Sequence, residues 1–170
     1  MHGHQIRRNA QIDRTELWTD IKVGSLYAAL NRMAADGVIE AVRTERAGNM
    51  PARTVYAITD EGHRELSALR AAILRDTRLR PDPVDLALQY TQDMPRQELL
   101  AAVADRRAAL ETELVAMRHL QETAAPYLTG AEPLGFEHRL IRLEAELAWH
   151  DLALRELPKL LTAEHAEPHQ

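Results

Sequence analysis

The chain contains no cysteine, which excludes disulfides, thiolate metal sites and thiol nucleophiles and suits a reducing compartment. It has no run of about 18 apolar residues, and its first residues lack the charged-then-apolar layout of a signal peptide, so a soluble cytoplasmic protein is expected. No glycine-rich phosphate loop is present, and Ser25 has no flanking glycines of the nucleophile-elbow kind. The carboxylates are spread along helical surfaces rather than gathered, so an enzyme is not expected. His2 with His4, and Glu146 with His150 at i, i+4, are the nearest approaches to a metal site. Neither supplies three or four ligands, so no metal and no cofactor is expected. Aromatics make up only 4% of the chain, which reduces the candidate walls of a ligand site to Trp18, Tyr90, Tyr127, Phe136 and Trp149. Packing is the first use of such side chains.

What the chain does have is an uneven charge. Its net charge is −5, yet residues 1–80 hold 13 Lys/Arg against 10 Asp/Glu, while residues 81–170 hold 8 against 16. A nucleic-acid partner therefore belongs to the first half, if anywhere. With 170 residues and 45% hydrophobic content the chain can bury a core as one domain or two small ones. The best boundary is Thr77 to Pro83, containing Leu79-Arg80-Pro81-Asp82-Pro83, where two prolines one residue apart stop a helix and stiffen the joint. This predicts domains at 1–78 and 79–170.

The first half is organised around residues 23–36. Val23, Leu26, Tyr27, Leu30 and Met33 or Ala34 recur at i, i+3, i+4, i+7, so one helical face is apolar. Gly24, Ser25, Ala28, Asn31 and Arg32 make the other face small and polar, with Lys22 and Arg32 at its ends. Such a face can come close to a DNA groove, although most short amphipathic helices simply have a solvated back. Gly37 ends the helix in αL fashion, and residues 38–43 and 54–59 alternate as strands around a Gly, Asn and Pro-containing tip at 47–52. Helix, strand, hairpin and strand in that order make a winged helix. Arg43, Arg46 and Arg53 bracket the wing, a placement suited to phosphates or a narrow minor groove.

These residues resemble the PadR family of winged-helix transcriptional regulators. The resemblance rests on His2-Gly3-His4-Gln5-Ile6, Leu17-Trp18, Gly24-Ser25-Leu26-Tyr27-Ala28-Ala29-Leu30, Gly37-Val38-Ile39-Glu40, the segment from Pro51 through Thr59, and Glu61-Gly62. Order and spacing match across residues 2–66. The resemblance implies a homodimer that binds operator DNA, usually represses, and is released by a small-molecule or stress signal. It also implies an effector pocket between the domains or at the dimer interface. Two departures stand out: members usually carry a further helix before the His-Gly segment, where this chain has Met1, and Ala28 stands where many members have proline.

The remaining elements follow by pattern. Gly3–Ile12 reads as a short helix with Ile6 and Ala10 on one face, and Trp18 as a core plug or a ligand contact. A helix capped at Thr59 runs to about Arg75 with Leu66, Leu69, Ala72 and Ile73 inward. Asp82 caps a short helix opening on Pro83. A long helix over about 95–123 carries Leu99, Val103, Leu110, Leu114 and Met117 on one side, interrupted by Arg106-Arg107. The last helix begins near Leu134 and is predicted to fade at Pro158. On it Phe136, Leu140, Leu143, Leu147, His150, Leu154 and Leu157 form a heptad seam, and Ile141, Ala145, Ala148 and Leu152 form a second stripe. Two stripes call for two partners, one within the chain and one from a second subunit; a monomeric domain with a broad core face is the competing reading. His150 reads either as a register or pH-sensing residue or as a hydrogen-bonded, partly exposed one.

The expected fold is thus mainly α with a small β-wing (α+β), a winged helix-turn-helix domain followed by an antiparallel helical dimerisation domain. Sequence reading is assigned to Ser25, Asn31 and Arg32, and phosphate contact to Lys22, Tyr27, Arg46, Asn49 and Arg53, with Tyr27 alternatively in the core. Dimerisation is assigned to Phe136, Leu140, Leu143, Leu147, His150 and Leu154, and an effector is assigned to Trp18, Tyr90 and Trp149. The expected partners are double-stranded operator DNA, a second copy of the chain and a small-molecule effector, with no membrane. The rival function is a dimeric helical interaction or small-molecule-binding module whose incomplete winged helix does not engage DNA.

Overall fold

The computed structural model describes residues 1–12, 18–19, 23–45 and 53–163. The chain divides into two compact units, Met1–Leu79 and Arg80–Gln170. The first contains α1 (Gly3–Ile12), a 3-10 turn at Val23–Ser25, α2 (Leu26–Ala35), the strands β1 (Ile39–Glu45) and β2 (Arg53–Ile58), and α3 (Asp60–Ile73). The second contains α4 (Pro83–Leu88), α5 (Arg96–Ala124), a 3-10 turn at Ala125–Tyr127, and α6 (Glu132–Ala163).

In the first unit α2 is closed by Gly37, whose φ of 74° is the left-handed geometry that glycine adopts without cost. β1 and β2 then pair antiparallel from Ile39 opposite Ile58 to Glu45 opposite Arg53, with a bulge at Val42. The base of this wing is fastened to the neighbouring helices. Thr59 caps α3 by accepting from the Gly62 amide at 3.0 Å while its hydroxyl donates to the Gly37 carbonyl at 2.8 Å. The Thr59 amide donates to the Val38 carbonyl at 3.1 Å. One threonine therefore joins the end of α2, the wing and the start of α3. Gly62 is buried directly over that junction, where a Cβ would stand 2.0 Å from the Val38 carbonyl oxygen.

Two expectations for this unit fail. The face of α3 read as inward is open: Leu66 and Leu69 are half exposed and Ile73 is 71% exposed. The first turn of α3 meets the wing base through Gly62, and the apolar spacing beyond it is left largely uncovered. Trp18, read as a core plug, is also substantially exposed.

The second unit is a long antiparallel hairpin of α5 and α6. Gly130, at φ 54°, and Glu132, whose carboxylate accepts from the Thr129 amide at 2.7 Å, start α6 after the turn. Between the helices Leu99, Val103, Leu114 and Met117 of α5 and Phe136, Leu140 and Leu143 of α6 are buried, at roughly 1.5–3 kcal/mol of transfer free energy each. The i, i+3, i+4 spacing of these residues brings them to one seam on each helix. Flanking ion pairs hold the register: Arg118 to Glu144 at 2.7 Å, Arg107 to Asp151 at 2.5 Å, and Arg139 to Glu113. α6 does not fade at Pro158 but continues to Ala163. A proline removes one helical hydrogen bond and crowds the preceding turn, yet Leu154, Leu157 and Leu161 on either side are half-buried and carry the helix across.

The ion pairs give the hairpin a pH dependence of definite sign. A hydrogen bond from Arg107 holds the Asp151 carboxyl below its ordinary value of 3.8. The Val84 amide, and after it Arg106, do the same for Asp82. A carboxyl whose folded value is depressed adds stability above its unfolded value, and that stability is lost as pH falls through the folded value. On account of these two carboxyls, thermal melts should drop steeply below about pH 4. The Asp82→Asn, Asp151→Asn double variant should start lower and show a shallower acid slope; an identical acid slope would assign the acid transition to other groups.

Candidate nucleic-acid interface

α2 is held by one edge. Leu30 is buried, and Leu26, Ala29, Met33 and Ala34 are half-buried, whereas Tyr27, Ala28, Asn31, Arg32 and Ala35 are exposed. At about 3.6 residues per turn these sets fill two complementary arcs. Small side chains, Ala28 and Ala35, lie at the middle of the open arc, with Asn31 beside them, Tyr27 at one border and Arg32 at the other. Such a surface lets a helix backbone come close to a groove while an amide and a guanidinium reach its floor and walls. Ser25 and Gly24 are exposed in the 3-10 turn that leads into the helix.

The helix is shorter than the pattern suggested, because residues 23–25 form the 3-10 turn instead of its first α-turn. Tyr27 is the second departure. It counts with the apolar face by spacing, but it is 52% exposed. A Cβ on the buried Gly3 would lie 2.8 Å from its ring carbon Cε1. The ring thus lies against the α1 backbone while its other side stays open. The His2-Gly3 pair reads in sequence only as a motif; close approach of a ring is the physical reason that a residue without Cβ stands there.

On the wing, Arg43 is an exposed member of β1. Lys22, Arg46 and Asn49 lie outside the described residues, as does the side chain of Arg53, which opens β2. Of the eight residues assigned to DNA, Ser25, Tyr27, Asn31 and Arg32 are brought together on the open side of one short segment.

The other assigned sets fare differently. Phe136, Leu140, Leu143 and His150 are buried, and Leu147 and Leu154 half-buried, within the single chain, so the heptad seam belongs to the hairpin. The stripe left open is the second one, with Ile141 55% and Leu152 47% exposed, and Ala145 and Ala148 beside them. Trp18 belongs to the first unit and Tyr90 and Trp149 to the second. Tyr90 is open to solvent, and Trp149 is half-buried with its ring edge-on to His150 at 4.7 Å.

A feature that sequence reasoning missed lies around His150, which is completely buried. Its Nδ1 is 2.7 Å from the Glu146 carbonyl, and its Nε2 is 3.1 Å from Arg106 Nε. A carbonyl only accepts and a guanidinium only donates, so the ring is neutral with its proton on Nδ1. Arg106, read as an interruption of the α5 pattern, also binds Asp82 at 2.7 Å. Among the described residues no cluster of three or more His, Cys, Asp or Glu could hold a metal ion, and no helix is long and apolar enough to cross a membrane.

A helix with an open polar arc, followed by a two-stranded wing and a capped helix, defines a winged-helix protein, here joined to a C-terminal helical hairpin. Residues 1–68 match the transcriptional regulator PadR-like family, a family of regulators and not of enzymes. Among solved structures, the chain is similar to Bacillus subtilis PadR in complex with operator DNA, at 19% identity and TM-score 0.69 over 92% of this chain and 89% of that one. It is similar to the PadR-like transcriptional regulator BC1756 from Bacillus cereus, at 17% identity and TM-score 0.65 over 94% and 90%. It is also similar to B. subtilis PadR in complex with p-coumaric acid, at 16% identity and TM-score 0.64 over 93% and 88%. Comparison with curated proteins gives no match.

Proposed function

We propose that the chain is a sequence-specific DNA-binding transcriptional regulator that acts as a homodimeric repressor and is released by a small-molecule or stress signal. The observation that carries this reading is the open arc of α2, with Asn31 and Arg32 exposed beside small residues, in a domain of a transcriptional-regulator family. A structural neighbour crystallised with operator DNA and another with p-coumaric acid support the two kinds of partner. Two copies place their α2 helices in successive major grooves about one DNA turn apart, as two-fold symmetry requires. Ser25, Asn31 and Arg32 read bases, while Lys22, Tyr27, Arg46, Asn49 and Arg53 bind phosphates. An effector acts by preferring one separation of the two α2 helices over another.

Binding to the protein's own promoter-region duplex and to a scrambled duplex, at two salt concentrations, tests the reading. A dimer that neutralises six or more phosphates should lose about a thousandfold in affinity between about 50 and 200 mM salt. Arg53→Gln should weaken both duplexes alike and flatten the salt slope by about one unit for each phosphate that a subunit no longer neutralises. Asn31→Ala should cost about 1–3 kcal/mol per half-site on the specific duplex only. Absence of binding to either duplex would favour a partner-binding module with an idle winged helix.

A further inference from the structure

We propose that His150, Arg106 and Asp82 form a proton-operated latch that holds α4 on the α5–α6 hairpin. The three residues come from three helices. His150 lies inside the leucine seam of α6, Arg106 on α5, and Asp82 is the N-cap of α4, immediately after Pro81. Arg106 spans them: its Nε donates to His150 Nε2 at 3.1 Å, and its Nη2 donates to Asp82 Oδ2 at 2.7 Å. The other Asp82 oxygen accepts from the Val84 amide at 2.9 Å and so caps α4.

α4 is six residues long and none of them is buried: Val84 and Leu88 are half-buried and Leu86 is exposed, so the charged tether supplements a small apolar contact. That tether depends on His150 Nε2 being a lone-pair acceptor. When Nε2 takes a proton from solvent it becomes an N–H donor, and two donors and two positive charges then face each other at 3.1 Å. Arg106 must turn away, which breaks its bond to Nε2 and withdraws it from Asp82.

The charged groups around the ring are Asp82 at the α4 cap, Arg106 and Arg107 on α5, and Glu146, Asp151 and Arg155 on α6, with Glu146 Oε2 3.7 Å from Arg106 Nη2 and Asp151 paired to Arg107. Asp82 and Asp151 are held below the ordinary carboxylate range, and arginine keeps its charge. Of the three latch groups, His150 is the one whose protonation turns a hydrogen-bond acceptor into a donor.

Nuclear magnetic resonance of the full chain from pH 8 to 5 tests the latch. The His150 ring signals, the Arg106 Nε–H signal and the amides of Val84 to Leu88 should change together, and α4 amide protection, corrected for intrinsic exchange, should fall about tenfold or more. His150→Gln supplies a non-titrating acceptor and should keep α4 protected at both ends of the range. Arg106→Gln, at a half-exposed site, should leave α4 unprotected already at pH 8 and remove its pH response. The latch is refuted if α4 responds to pH equally in His150→Gln, if His150 titrates while the Arg106 Nε–H signal persists, or if His150 gains no proton across the range.

Discussion

Gly62→Ala should destroy or severely weaken the first unit. The added methyl would stand 2.0 Å from the Val38 carbonyl oxygen and 2.7 Å from Ile58 Cγ1. The first of these is backbone, and the same carbonyl accepts from the Thr59 amide, so it cannot turn aside without breaking the junction of α2, wing and α3. Overpacking usually costs about 1–3 kcal/mol; a backbone obstacle at this distance places Gly62→Ala at about 3 kcal/mol or more. For a unit of this size that lowers the melting temperature by roughly 12–24 °C. Gly24→Ala is the control, because a Cβ there meets nothing within 4 Å, and its melting temperature should stay within about 2–4 °C of the parent. Equal stability of the two variants, measured by thermal denaturation, would mean that the wing base is not as closely packed as described.

Ile141→Glu combined with Leu152→Glu should convert the proposed dimer to a monomer of 19.2 kDa in sedimentation, with helix content unchanged. Both side chains are half exposed in the single chain, so neither contributes to the hairpin core. Across a two-fold axis, however, two added carboxylates per subunit would be buried without partners, a cost no interface of small residues can absorb. Loss of the dimer also removes the benefit of two linked half-sites, so operator affinity should fall by about 10²–10⁴. Leu143→Ala, in the buried seam, should do the opposite: it costs about 2–5 kcal/mol of stability and leaves association of the folded protein intact. A dimer that survives both glutamates would move the interface elsewhere, and the exposed apolar stripe of α3 would be the next surface to charge.

The sequence by itself determined the periodic and local features of this protein. Gly37 needed a left-handed turn, Thr59 and Asp82 offered cap oxygens, and Pro83 opened α4; each acts on backbone within a few residues of itself. The spacing of Leu99, Val103, Leu114 and Met117 likewise located their face of α5, because helical periodicity is a property of the chain alone. Even the open arc of α2 was legible apart from Tyr27, whose hydrophobic count concealed a ring lying on Gly3 with one side free.

Tertiary structure decided which neighbour each face met. An apolar stripe states that burial is favourable without naming the partner. The Phe136–Leu154 positions were therefore assigned to a second subunit when α5 of the same chain covers them, and Leu66, Leu69 and Ile73 were assigned inward when the unit leaves them open. The meeting of Arg106 with His150 lies further beyond reach, since the residues are 44 apart in sequence. Their hydrogen bond exists only because the turn at residues 125–131 sets the register of α6 on α5. Hydrophobic pattern and capping chemistry are local and additive; register between helices is a joint property of both, and the buried polar network follows from that register.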